Sequence, residues 1–504
     1  MLPRVKHAAT KVENSGKGAE MRRTKIIATL GPATDTPECI AQLIAAGMDV
    51  ARVNFSHGTH AEHSARIAMV RAEAAKAGRA VAILQDLQGP KIRTGALAEG
   101  RSVQLVTGQP FTITVQPIIG DAQRVSTTYT ALPHDVRPDD RILLSDGAIA
   151  LRVRERSNTH VLCEVTQGGE LREHQGINLP GVDVSAPAIT EKDLKDLRFG
   201  FEQGVDYVAL SFVRRASDVQ QAKQIIAQAG KDTPVIAKLE KPEALVALDD
   251  ILQVADGVMV ARGDMGVEMP LERVPIAQKQ IIQEANRAAI PVITATQMLQ
   301  SMILSPIPTR AEVSDVANAI LHGSDAVMLS GETAIGRYPV EAVQMMACIA
   351  EATETSRDVY PIHPRVLPWM FSVPESLPEA IGAAISAIVK AMPVSAIWVF
   401  TLTGSTARLV AHHRPQVPIL AFTPQEATYR RLSLLWGVTP LKAEFVHSEG
   451  EYFRQIGLLV KARGLAREGD LVVLTGGHPF GEGGPTNFLK IMRLVAGDPA
   501  LQDA

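Results

Sequence analysis

From Thr24 onward, short apolar or β-branched runs alternate with longer stretches in which apolar residues recur at helical spacing, the pattern of parallel strand–helix units. The runs are TKIIATLG (24–31), MDVARVNFS (48–56), AVAILQDL (80–87), VDYVALSFV (205–213), TPVIAKLE (233–240), GVMVARGD (257–264), PVITATQM (291–298) and DAVMLSGE (325–332). Eight units predict a closed (β/α)8 barrel, and helical segments such as PLERVPIAQKQIIQEANRAA space the last five evenly. The gap between the third and fourth runs is far longer. Within it SVQLVTG, PFTITVQ, DRILLSDGAIALRVRE and HVLCEVTQGG alternate apolar and polar residues between glycine-bearing turns, which predicts antiparallel strands. An inserted β domain is therefore expected over 94–185, dividing the barrel into 22–93 and 186–357.

Beyond the eighth run PVEAVQMMACIAEATETSRDVY has helical spacing, and a Pro-rich passage from Pro361 to Pro378 reads as an interdomain linker. AIWVFTLTG, PILAFT and LVVLTGG then predict a second α/β domain over 379–504. The polar, aperiodic opening, 1–21, is expected to be a disordered extension. A length of 504 residues exceeds what one core supports, so several domains fit. A net charge of −3 gives no field that would gather nucleic acid or an anionic membrane, which leaves small molecules as partners. No apolar run is long enough to span a bilayer, and Cys39, Cys163 and Cys348 stand far apart, without CxxC spacing; a cytoplasmic protein is expected.

Barrel active sites lie at the carboxyl ends of the strands, and here those ends are polar. Residues two apart on a strand share a face, so Arg52, Asn54 and Ser56 are expected to project together, as are Lys238 with Glu240 and Arg262 with Asp264. Asp86 and Thr296 close two further runs. Glu240 and Asp264 form a hard oxygen pair suited to Mg²⁺ or Mn²⁺, and Lys238 and Arg52 suit a phosphoryl group. No GxxxxGK[ST] string occurs, which excludes a P-loop enzyme. His57, His60 and His63 mimic metal spacing, but neither Cys nor acid completes the set.

The strings ARVNFSHG, GPKIRTG, AKLEKPEAL, MVARGDMGVE, TATQMLQSM, PTRAEVSDVANA and MLSGETA resemble, in order, the motifs of pyruvate kinases, which carry an inserted domain after the third barrel strand. The resemblance runs from Thr24 to the C-terminus. It implies transfer of the phosphoryl group of phosphoenolpyruvate to ADP, yielding pyruvate and ATP. It further implies that Lys238 stabilises that group, that Glu240 and Asp264 hold the divalent metal, and that Arg52 binds the phosphate. Gly263, Asp264 and Thr296 would surround the carboxylate, and Thr296 matches the residue linked to protonating the enolate. Asn54, His57 and Arg93 match nucleotide-side positions, while Asn54, Ser56 and Asp86 match monovalent-cation ligands. The inserted domain would be a β-barrel-like lid. A homotetramer is also implied.

The chain departs from the family at Gln175, where many members have a lysine that reaches the nucleotide. It also departs at Leu87 and at Lys91, which stands where potassium-dependent members read GPEIRTG. A fixed ammonium there predicts activity without K⁺. In TLTGSTARLVAHH, Thr401, Thr403, Ser405 and Thr406 are expected to form an effector loop for a phosphorylated allosteric ligand, the bland alternative being ordinary helix capping. Competing activities are a metal-dependent barrel lyase or mutase, which needs no ADP, and a non-catalytic sensor, against which Lys238, Glu240, Asp264 and Thr296 together argue.

Overall fold

The structure, a computed structural model, describes residues 22–356, 376–445, 449–479, 481, 483–494 and 502–503. The expected disorder over 1–21 and the greater part of the Pro361–Pro378 linker lie outside the described residues. Pro378 itself belongs to no linker: it sits in the first turn of the helix Leu377–Ala391, whose N-cap Ser376 accepts from the Glu379 N–H.

Eight parallel strands close a barrel: β1 Lys25–Thr29, β2 Val50–Asn54, β3 Ala82–Asp86, β4 Tyr207–Leu210, β5 Val235–Leu239, β6 Gly257–Ala261, β7 Val292–Ala295 and β8 Ala326–Leu329. β1 bonds to both β2 and β8. Each strand falls within one of the eight sequence runs. The runs are continuous rather than alternating because both faces are buried, one against the helices and one inside the barrel. Thr59, Thr190 and Thr309 cap three helices, and Glu62, Asp193 and Glu312 return the bond, so the T-x-x-E/D strings fix where those helices begin.

Ile27, Val50, Leu84, Ile236, Met259 and Met328 fill the barrel interior, and Leu434 of the C-terminal domain joins the same apolar cluster. Ser433 beside it donates to the Asp49 carbonyl and accepts from the Ala82 N–H, so the C-terminal domain covers the amino ends of the strands. The carboxyl ends stay free for chemistry.

The inserted domain carries its own core and a six-stranded sheet. Arg141–Leu144, Ile149–Arg156, His160–Gln167 and Pro110–Thr114 pair antiparallel, as their strings predict, while Arg124–Ser126, which lies in none of those strings, runs parallel to Pro110–Thr114. Alternation shows which side chains turn inward and is blind to the direction of the neighbouring strand.

In the C-terminal domain, Val394–Phe400 lies between Ile419–Thr423 and Leu471–Gly476, all parallel. The edge strand Val438–Lys442 and the antiparallel Phe488–Arg493 were not legible in the sequence. Pro440 interrupts the first, which is tolerated because an edge strand leaves one row of N–H groups unpaired.

Candidate active site at the carboxyl ends of the barrel strands

Four charged side chains, three on β2, β3 and β5 and one just past the end of β5, meet at the barrel mouth. Lys238 Nζ donates to Ser211 Oγ at 2.7 Å and lies 2.9 Å from Glu240 Oε1 and 3.3 Å from Asp86 Oδ1. The other Asp86 oxygen accepts from Arg52 Nε at 2.7 Å, and Arg52 Nη1 donates to Thr29 Oγ1 at 2.9 Å. The Phe212 N–H donates to Glu240 Oε2 at 2.8 Å. The result is an unbroken chain of charge from Arg52 through Asp86 and Lys238 to Glu240.

Burial pulls the Lys238 pKa down, but the Asp86 and Glu240 carboxylates outweigh it and hold the ammonium above its ordinary range. Burial likewise pushes Asp86 up, and Lys238 and Arg52 reverse this, leaving its carboxyl below the usual range. Glu240 goes the other way. Its burial, with the Asp264 carboxylate adding to it, overcomes the Lys238 attraction and pushes the acid up to about 7. Oε1 of Glu240 is also buried with no hydrogen bond, since Lys238 is near it but out of line. A buried carboxylate that feels the charge of a second carboxylate fits a small divalent cation. Among the described residues no group of three His, Cys, Asp or Glu gathers, so such an ion would take its remaining ligands from water and substrate oxygens, as Mg²⁺ commonly does.

The expected alignment of Arg262 with Asp264 on one strand face is not what forms. β6 ends at Ala261 and Arg262–Glu268 is a helix, so the two-residue repeat stops short of both. Both border the cleft, and Arg262 turns its guanidinium to Thr296 and Asp315. Ser56 likewise lies beyond the end of β2, where its N–H donates to Asn54 Oδ1 at 3.1 Å. Thr296 Oγ1 accepts from the Gly263 N–H at 2.7 Å, occupying a donor that the resemblance assigns to a substrate carboxylate.

Between the inserted domain and the barrel lies a cleft of about 800 Å³, lined by Arg141, Asp146 and Gln167 on one side and by Gly263, Asp264 and Glu268 on the other. Lys91 borders it. His57 is pushed below its ordinary pKa by burial and then by Lys91, Arg93 and Arg52, so these cations act on one region. Arg93 Nη1 donates to the His174 carbonyl at 3.1 Å, and the Gln175 N–H donates to Thr94 Oγ1 at 2.9 Å, tying the start of the inserted domain to its returning segment. Of the three spaced histidines, His60 bonds Asp196 and His63 packs its ring on Phe55, so the three do not converge on one point.

The hydroxyl-rich loop borders a pocket of about 100 Å³ with Gly481 and Gly483. Its helix, Ser405–His412, starts from Gly404 in the left-handed region, φ +91°, which has no side chain to cap with, and Thr403 Oγ1 accepts from the Ser405 N–H at 3.5 Å, a long bond of the kind the capping alternative expects. Thr403 and Ser405 are exposed. Thr401 accepts from the Gly404 N–H, and the buried Thr406 hydroxyl is shared with Thr486, so Thr406 is committed within the fold rather than offered to a ligand.

Sequence reasoning missed Thr29, Ser211 and the Phe212 N–H. The rule that found the others covers them, since Thr29 ends β1 and Ser211 follows β4, but a lone hydroxyl after an apolar run carries little signal beside a charged side chain.

The family model described as pyruvate kinase, barrel domain, matches residues 21–343, and that described as pyruvate kinase, alpha/beta domain, matches 379–492. Pyruvate kinase 2 of Synechocystis sp. is 50% identical over 473 residues, covering 93% of this chain and 79% of its own. Pyruvate kinase of Corynebacterium glutamicum is 45% identical over 473 residues, covering 94% and 98%. The crystal structure of a pyruvate kinase from Cryptosporidium parvum superposes with a TM-score of 0.86 at 36% identity, over 94% of this chain and 96% of that one.

Proposed function

The chain belongs to the pyruvate kinase family of phosphotransferases, and from that premise we propose that its barrel mouth transfers the phosphoryl group of phosphoenolpyruvate to ADP. The observation that carries this reading is the buried Lys238 ammonium, fixed by Ser211, Asp86 and Glu240 where a phosphoryl group in transit would place its charge. A preorganised cation in a water-poor site stabilises such charge without reorganising during the reaction. Arg52 grips the substrate phosphate. Its Nε and Nη1 are held by Asp86 and Thr29, which sets the plane of the guanidinium before substrate arrives.

Glu240 and Asp264 are the residues that would hold Mg²⁺ or Mn²⁺, which supplies charge neutralisation at the phosphoryl oxygens when bound. The substrate carboxylate takes the N–H groups at the start of the helix Arg262–Glu268, displacing the Thr296 hydroxyl from Gly263 and freeing it to act at the enolate. Asn54, His57 and Arg93 face the nucleotide. Closure of the inserted domain over the cleft excludes water and so protects the phosphoryl group from hydrolysis.

Lys91 supplies the charge that K⁺ provides elsewhere, and Thr403 and Ser405 receive a phosphorylated effector. The protein works as a cytoplasmic homotetramer. A coupled assay of pyruvate release with and without ADP and Mg²⁺ tests the central reading. Release that depends on both supports it, and release independent of ADP points to a lyase instead.

A further inference from the structure

Thr296 and Gln297 adopt left-handed backbone conformations, with φ of +67° and +54°. Glycine tolerates this region and a β-branched residue does not, so Thr296 is held there by something outside its own backbone preference. Arg262 is the side chain that grips it. Its Nη2 donates to the Thr296 carbonyl at 2.7 Å, its Nε to the same oxygen at 3.2 Å, and Nη2 also meets the buried Met298 sulfur at 2.7 Å. The remaining arm, Nη1, donates to Asp315 Oδ2 at 2.6 Å. Arg262 is buried, and Asp315 sits on the helix Arg310–Leu321, whose string PTRAEVSDVANA no part of the reaction has so far used.

Backbone direction and side-chain direction are coupled at this turn. The carbonyl of Thr296 points to Arg262, and its hydroxyl consequently points back to the Gly263 N–H, with the hydroxyl proton on the Ala295 carbonyl at 2.6 Å. An extended residue at 296 would share the face of Thr294, opposite the barrel-interior face that Ile293 and Ala295 line. We infer that Arg262, braced by Asp315, is a positioning residue that holds Thr296 in its strained turn and aims the hydroxyl into the site. The planar guanidinium is needed because two of its nitrogens bind the same carbonyl while the third reaches Asp315; an ammonium offers no such fork. The inference rests on the reading of Thr296 as the group that acts at the enolate.

The test uses full-length enzyme with Mg²⁺ and ATP in D2O, following exchange of the pyruvate methyl protons by NMR beside the rate of phosphoryl transfer in the coupled assay. Arg262→Met is expected to lower the ratio of exchange to transfer by about 30-fold and Asp315→Asn by about fivefold, with Arg262→Lys between them, as for loss of charged hydrogen bonds. Asp315 is half-exposed, so Asp315→Asn should fold normally and keeps the test open even where Arg262→Met does not. Thr296→Ala is the control. If it abolishes exchange while Asp315→Asn and Arg262→Lys leave the ratio unchanged, the clamp is refuted and the reading of Thr296 stands. If Thr296→Ala retains exchange, that reading fails and the inference falls with it. Equal losses of exchange and transfer in the Arg262 and Asp315 variants would show a purely structural role and also overturn it.

Discussion

Replacing Lys238 by Met removes the central charge while nearly preserving length. The loss of one preorganised electrostatic group commonly costs about 10²–10³ in rate, or roughly 3–4 kcal/mol of transition-state stabilisation, and kcat should fall by that factor. Stability should respond in a manner that depends on pH. Asp86 keeps Arg52 as a partner, but Glu240 loses the Lys238 ammonium that opposes its burial. Already at about 7 against an ordinary 4.5, its pKa rises further. At about 1.4 kcal/mol per pKa unit, ionising Glu240 in the folded state already costs about 3 kcal/mol, and more in the variant. Because the folded pKa lies above the unfolded one, the folded state binds the extra proton, so stability is retained below about pH 4.5 and lost as pH rises through the folded pKa. Urea unfolding of Lys238→Met at pH 6 and pH 8, without Mg²⁺, should therefore show a larger loss relative to the parent at pH 8. Near-normal kcat would remove Lys238 from the mechanism, and a loss that is equal at both pH values would refute the electrostatic account of Glu240.

Glu240 must shed its proton before it can hold a cation, so apparent Mg²⁺ affinity should weaken as pH falls below about 7, whereas a flat titration from pH 8 to pH 6 would contradict the ligand role. Asp264→Asn should raise the Mg²⁺ requirement sharply, and an unchanged titration would argue against that ligand. Initial rates in a tetraalkylammonium buffer should not rise when K⁺ is added, and Lys91→Glu should acquire K⁺ dependence, because two unit charges about 4 Å apart repel by roughly 4 kcal/mol at an effective dielectric near 20. Many-fold activation of the parent by K⁺ would show that Lys91 does not replace the ion. A panel of sugar phosphates and nucleotides should shift the phosphoenolpyruvate saturation curve, with Thr403→Ala and Ser405→Ala weakening the shift; a curve that no compound moves would remove the effector loop.

The sequence by itself determined the barrel, because eight strands buried on both faces have to be written as apolar runs, and it pointed to the charged groups at their carboxyl ends, where a single Lys, Arg, Asp or Glu after such a run is conspicuous. It also set helix starts through short-range bonds such as Thr309 with Glu312. Only the tertiary structure decided who pairs with whom. Asp86 reads as one acid ending one run, yet it joins Arg52 to Lys238 because β2, β3 and β5 curve around a common axis. Arg262 reads as the strand neighbour of Asp264 and becomes the clamp on Thr296, because the chain turns helical at Ala261 and a guanidinium reaches residues more than thirty positions away. The edge strand at Pro440 and the parallel pair in the lid were hidden for the same reason: apolar pattern records burial, which is a property of one residue, while pairing and direction are properties of two segments brought together by the fold.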